Sequence, residues 1–195
     1  ELYIAKKQLE KAAVVLMETL ADSPESIQSY MLLSRIYVQS GELELQESVY
    51  QRGIAANPSN MLLKTELSVI YSQDGRIDEA VALLEEAYKL GENSLIVINN
   101  LSTLLIDHFP TEANLRRVQA MTRDFNDSRQ PALLDTLGWL QYKLGNIPQA
   151  ISLLESAQEL GGQRPEYWYH LGIVHHKNGD AALAKEYLGK ALSVE

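Results

Sequence analysis

Apolar positions along the chain fall three and four apart in blocks of about a dozen residues, each block closed by a glycine or a proline. That period lays one hydrophobic stripe along a helix and predicts helices rather than strands. Five blocks share a finer pattern: Tyr30-x2-Leu33-Ser34-x2-Tyr37, Lys64-x2-Leu67-Ser68-x2-Tyr71, Ile98-x2-Leu101-Ser102-x2-Leu105, Leu134-x2-Leu137-Gly138 and Trp168-x2-Leu171-Gly172-x2-His175. Gly41 and Gly75 stand 34 residues apart, as do Gly145 and Gly179, Ala150 and Ala184, and Ala157 and Ala191. The register is clearest between Pro131 and Glu195.

Each block reads as the first helix, A, of a hairpin, ended by a glycine in the left-handed conformation. The small residues Ser34, Ser68, Ser102, Gly138 and Gly172 are expected where helix A crosses helix B, since a bulky side chain there would push the axes beyond about 8–10 Å. Ala80, Ala150 and Ala184 supply the small face of helix B, and Gln46 in that place is expected to loosen its hairpin. Ser23-Pro24 and Asn57-Pro58, again 34 residues apart, separate a helix B from the next helix A. The expected boundaries are a partial repeat over 1–26 and full repeats over 27–60, 61–94, 95–130, 131–164 and 165–195. Within the partial repeat, 1–6 is assigned to the end of a helix A and Gln8 to Ala21 to its helix B. The 95–130 repeat is irregular. His108-Phe109-Pro110 replaces its glycine turn, Ala113 and Ala120 are assigned to the small face of its helix B, and three additional residues are expected within Phe125 to Gln130, with a longer loop at Asn126-Asp127-Ser128. The last helix B is expected to run from Ala181 to Val194.

The period of 34, with Trp168, Leu171, Gly172, His175, Ala184 and Leu188 in register, resembles the tetratricopeptide repeat (TPR) pattern W-x2-L-G-x2-Y…A-x3-F. The resemblance implies an all-α, right-handed α-solenoid of antiparallel helix hairpins, a single array of about five and a half repeats, in which stacked neighbours share one core. It also implies that helix A lines a concave groove. The groove positions are then Arg35 in an early repeat, Asn99, Thr103 and Asp107 with Asn100 one step away, Asp135, Trp139, Tyr142 and Lys143, and Tyr169, Ile173, His176 and Lys177. A TPR groove implies a non-catalytic scaffold that binds a protein or peptide partner.

Trp139 is singled out because it stands beside the packing motif rather than in it. An exposed ring there, with Lys143 near, would be a binding anchor, since a rigid aromatic offers much contact area for little lost rotamer entropy. The alternative is that Trp139 packs against Tyr142 and Tyr169 within the array. Asp135 and Glu166 occupy positions where a clamp for a peptide carboxylate would need cations, so the expected partner presents mixed apolar and polar groups.

Charge and chemistry narrow the picture. A formal net charge of -9 and a pI near 5.0, with no basic run, argue against nucleic acid. Cysteine is absent, which excludes disulfides and thiolate metal sites. No apolar run approaches the roughly 18 residues needed to cross a bilayer, and Lys6, Lys7, Glu10 and Lys11 break any signal-peptide pattern near the start. With no initiator Met, the chain is read as part of a longer protein, whose uncapped ends make self-association an expectation. Glu166 and His170 are four apart on a helix, but His175 and His176 are five and six from His170 and off that face, so no metal site is expected. No nucleophile elbow or Gly-rich phosphate loop occurs, and neither catalysis nor a cofactor is expected.

Segments 131–146, 167–172 and 99–105 are similar to bacterial TPR proteins of exopolysaccharide export and cell-envelope assembly. That similarity implies a periplasmic or envelope-associated scaffold. The alternative function is a substrate-presenting accessory region of a larger enzyme, in a glycosyltransferase or protease complex.

Overall fold

A computed structural model describes residues 2–91 and 93–193, with the backbone alone for residues 2–6. Among the described residues there are eleven α-helices, one 3-10 turn and no strand. Helix α1 spans Leu2–Asp22. Then α2 (Ile27–Ser40) pairs with α3 (Leu43–Ala56), α4 (Met61–Gln73) with α5 (Ile77–Leu90), α8 (Pro131–Lys143) with α9 (Ile147–Gly161) and α10 (Pro165–Asn178) with α11 (Ala181–Leu192). Between them α6 (Leu95–His108) leads into α7 (Glu112–Met121) and the 3-10 turn Arg123–Asp127. Links of two or three residues inside the hairpins make their helices antiparallel. The chain divides into two compact units between Val97 and Ile98. The expected helix end at Val194 lies outside the described residues.

The four glycine turns follow one plan. Gly41, Gly75, Gly145 and Gly179 have φ of 78°, 74°, 84° and 91°. The N–H of the next residue then donates to the carbonyl five residues back: Glu42 to Tyr37, Arg76 to Tyr71, Asn146 to Gln141 and Asp180 to His175, at 2.8–2.9 Å. This double-back satisfies carbonyls that the helix end would otherwise leave unpaired.

At the crossings the small residues are required by contact. A Cβ on Gly138 would stand 2.7 Å from Leu154 Cγ, and one on Gly172 would stand 2.6 Å from Leu188 Cγ and 3.1 Å from the Leu188 backbone nitrogen. Ser34, Ser68 and Ser102 are buried in the same place. In the first unit α2 and α3 touch less extensively than α4 and α5, in keeping with Gln46 standing where Ala80 stands.

Three local expectations are corrected. Helix α1 is one continuous helix, not the end of one helix followed by another, because no glycine or proline stands between Leu2 and Ala21 to stop it. In the irregular repeat, Ala113 and Ala120 are exposed, and the inward face of α7 is Leu115 and Val118, continued by Thr122 and Phe125. Those four follow the 3-4-3 spacing that keeps one helix face apolar. The additional residues do not form an open loop at Asn126-Asp127-Ser128. They wind into the 3-10 turn, which buries Phe125 to 1% exposure and packs on α7 and α8.

In the first unit Lys64 and Arg76 hold charge between helices. Lys64 holds the motif position taken elsewhere by Tyr30 or Trp168. It is buried, and its Nζ reaches Glu86 Oε2 at 2.5 Å. Arg76 ties the start of α5 to α3 through Glu79 at 2.7 Å and Glu47 at 2.8 Å, with its guanidinium 3.7 Å from the Tyr71 ring centre. Among the described residues no helix is long and apolar enough to cross a membrane.

Candidate functional site

In the second unit three successive helices A, α6, α8 and α10, bring the groove residues together. The apolar stripe of α8 places Leu133, Leu134, Leu137 and Leu140 in the core, which turns Asp135, Thr136, Trp139, Tyr142 and Lys143 toward the neighbouring helices A. Trp139 lies parallel to Tyr142, ring centres 4.7 Å apart, and parallel to His170 of α10, 4.2 Å apart. Tyr169 meets both, tilted 53° to Trp139 and 55° to His170. Lys143 Nζ lies 4.8 Å from the Trp139 ring centre and 6.0 Å from that of Tyr142, within cation–π range.

Hydrogen bonds fix this aromatic layer at its edges. Trp139 Nε1–H donates to Asp107 Oδ1 of α6 at 2.7 Å. His170 Nδ1 lies 2.9 and 3.0 Å from the two oxygens of Asp135. Thr103 donates to the Asn99 carbonyl at 3.1 Å and its hydroxyl meets that of Thr136 at 3.3 Å, a second link from α6 to α8. The Asn99 side-chain oxygen is buried without a partner. Beside the layer, the Arg164 guanidinium is held above its ordinary value, first by the Tyr167 hydroxyl and further by the Glu166 and Asp135 carboxylates.

Trp139 is therefore not an exposed anchor. It is 6% exposed, because an indole stacked on two rings and bonded through its only donor has little surface left. The exposed ring is Tyr169, at 48%. Tyr142, Lys143, Ile173, Asn99, Asn100 and Thr103 are half-buried, and His176 and Lys177 are exposed on the last turns of α10. Asp135 is buried against His170 rather than open to a partner. Arg35 is exposed on α2 in the first unit.

His175, at the Tyr position of the repeat motif, is buried and stacks on Tyr187 of α11 at 5.5 Å, with Nδ1 3.4 Å from Asp180 and Nε2 without a partner. No group of three metal-ligating side chains occurs among the described residues.

His170 is the member of the layer that the groove assignment passed over. The signal in the sequence is a separation close to one repeat between chemically matched residues: 35 for Asp135 and His170, as 32 for Asp107 and Trp139.

Comparison with known proteins supports the repeat reading. Family models described as tetratricopeptide repeat match residues 27–60, 63–95 and 136–192. No curated protein matches the chain by sequence. Among solved structures, PilF of Pseudomonas aeruginosa superposes with a TM-score of 0.66 at 20% identity, over 95% of this chain and 83% of that one. PilW, described as a widely conserved type IV pilus biogenesis factor, gives 0.67 at 12% identity over 95% and 85%. YrrB, described as a TPR protein with an unusual peptide-binding site, gives 0.59 at 18% identity over 92% of each chain. At such identities the likeness is one of fold. With repeat models matching most of the chain and glycine-turned hairpins in both units, the chain belongs to the tetratricopeptide repeat family.

Proposed function

We propose that the chain is a non-catalytic interaction scaffold whose helix-A face in the second unit receives an extended segment of a protein partner. The observation that carries this reading is the origin of the aromatic layer. Asp107, Asp135, Trp139, Tyr142, Lys143, Tyr169 and His170 all come from helices A. The layer presents Tyr169 as an exposed ring on a buried base, with Ile173, His176 and Lys177 following it along α10. An exposed aromatic on a rigid support, flanked by polar groups, suits a partner of mixed apolar and polar character. A bacterial envelope assembly is the setting we infer, supported by the fold shared with PilF and with a type IV pilus biogenesis factor.

Panning a phage-displayed library of random peptides on the chain tests the face directly. Enriched peptides should bind wild type and Lys185→Ala, a change on exposed α11, with equal affinity. They should bind Tyr169→Ala at least about tenfold more weakly, the scale of one lost anchor residue. If no sequence is enriched, or the enriched peptides ignore Tyr169→Ala, this reading is wrong.

A further inference from the structure

The helix-A face holds two carboxylates whose hydrogen bonds run between helices. Asp107 joins α6 to α8 through the Trp139 indole, and Asp135 joins α8 to α10 through the His170 imidazole. The two acceptors thus stand at the edges of one ring layer, and each bridges a different pair of successive repeats. The Thr103–Thr136 contact adds a third bridge, again between α6 and α8.

An indole N–H has one proton to donate and no lone pair to accept with, so a buried Trp has a single way to be satisfied. For Trp139 that way is Asp107, whose remaining surface is open to solvent. Stacking sets the plane of the indole but leaves it free to slide or turn within that plane. The 2.7 Å bond to Asp107 removes that freedom. His170 is fixed likewise, its plane by Trp139 and its direction by both oxygens of Asp135. Tyr169 rests on both rings.

We infer that Asp107 and Asp135 are positioning residues for the binding face: by holding Trp139 and His170 in one orientation they keep Tyr169 and Tyr142 preformed for a partner. The inference rests on the proposed function, since it deepens the description of that same face. It assigns Asp135 an inward role, in place of the outward repulsion of anions expected from its groove position. A preformed aromatic surface binds more tightly because its ordering cost is met on folding rather than on binding.

The test uses the whole chain labelled with 15N at its tryptophan indoles. Two indole N–H signals are expected, from Trp139 and Trp168, and Trp168 serves as the internal reference. In Asp107→Ala the Trp139 signal should move upfield and lose its slow exchange with solvent, while Asp107→Asn, which keeps a carbonyl acceptor, should preserve slow exchange. The peptides enriched on wild type should bind Asp107→Ala roughly tenfold more weakly and Asp107→Asn within about threefold of wild type, as expected for loss and retention of one buried hydrogen bond.

An unmoved Trp139 signal in Asp107→Ala overturns the inference whatever binding does. A moved signal with undiminished peptide binding overturns the positioning step while leaving the Tyr169 result, and with it the proposed function, to stand alone. Should Asp107→Ala fail to fold, Trp139→Phe deletes the donor and keeps a ring. Peptide binding undiminished in that folded variant overturns the inference equally.

Discussion

His170 lies face to face on Trp139, ring centres 4.2 Å apart and planes 17° from parallel, although the two residues belong to different repeats. In a repeat array each hairpin is stabilised by its own packing and by its interface with the neighbours. Between α8 and α10 part of that interface is made of rings, and aromatic pairs of this kind contribute about 0.5–1.5 kcal/mol beyond the area they bury. The same residues thus join two repeats and support the exposed Tyr169, which couples stability to presentation.

Truncating Trp139 should therefore be felt first in stability. Trp139→Ala is expected to cost about 3–5 kcal/mol, the range for removing a buried large aromatic. It should lower the urea midpoint of the chain followed by far-UV circular dichroism. An exposed anchor could be truncated with melting nearly intact; burial of Trp139 to 6% exposure reverses that outcome. A midpoint unmoved by Trp139→Ala would show that the ring is not part of the packed interface.

Gly172 should tolerate no side chain. Replacing a helical glycine by alanine ordinarily gains about 1 kcal/mol, but here the new Cβ would stand 2.6 Å from Leu188 Cγ and 3.1 Å from the Leu188 backbone nitrogen. Overpacking of this kind costs about 1–3 kcal/mol, and the backbone atom cannot swing aside, so Gly172→Ala is expected to be net destabilising. Gly189→Ala on α11 is the matched control. Its Cβ would meet nothing within 4 Å, and that variant should melt at or above wild type.

Which features were legible follows from how each is enforced. The crossing at Gly138 and Gly172 admits only small residues, so sterics write it into every repeat and the period exposes it. The turns at Gly41 and Gly145 are legible for the same reason, a backbone requirement that recurs. Asp107 with Trp139 and Asp135 with His170 occur once each, between repeats, and no period announces a contact that is not repeated. The continuous α1 was misread because the repeat register called for a break where the residues contain no breaker. In α7 alanine identity suggested one face, but burial followed Leu115, Val118 and Phe125, whose larger apolar surface gains more from leaving water.

Lys64 offers a test of what a buried ion pair contributes. Its side chain is 7% exposed while that of Glu86 is 58% exposed, so desolvation falls mainly on the lysine. Breaking such a pair from the carboxylate side leaves a buried charge unmatched, whereas replacing the buried partner by an apolar chain of similar volume is often neutral or stabilising. Glu86→Ala should accordingly lower the thermal midpoint, and Lys64→Met should leave it equal or higher. The reverse order would mean that the pair itself stabilises the first unit.

Glu66 carries the clearest pH dependence. Burial raises its pKa above the ordinary value of 4.5, so the folded chain binds a proton there more readily than the unfolded chain does. Stability associated with that proton is fully present below the unfolded value and is lost as pH rises through the raised, folded one. Above that range the charged form stands in a site that disfavours it. Glu66→Gln removes the ionisation while keeping the shape. Its melting temperature should exceed that of wild type at pH 7, and the gap should narrow as pH falls through the raised range and close below 4.5, where Glu66 is protonated in both states. Melting curves of the two chains over that range read the sign directly: a gap that widens toward acid would require a folded-state pKa below the unfolded one, stabilised by a cationic partner rather than raised by burial.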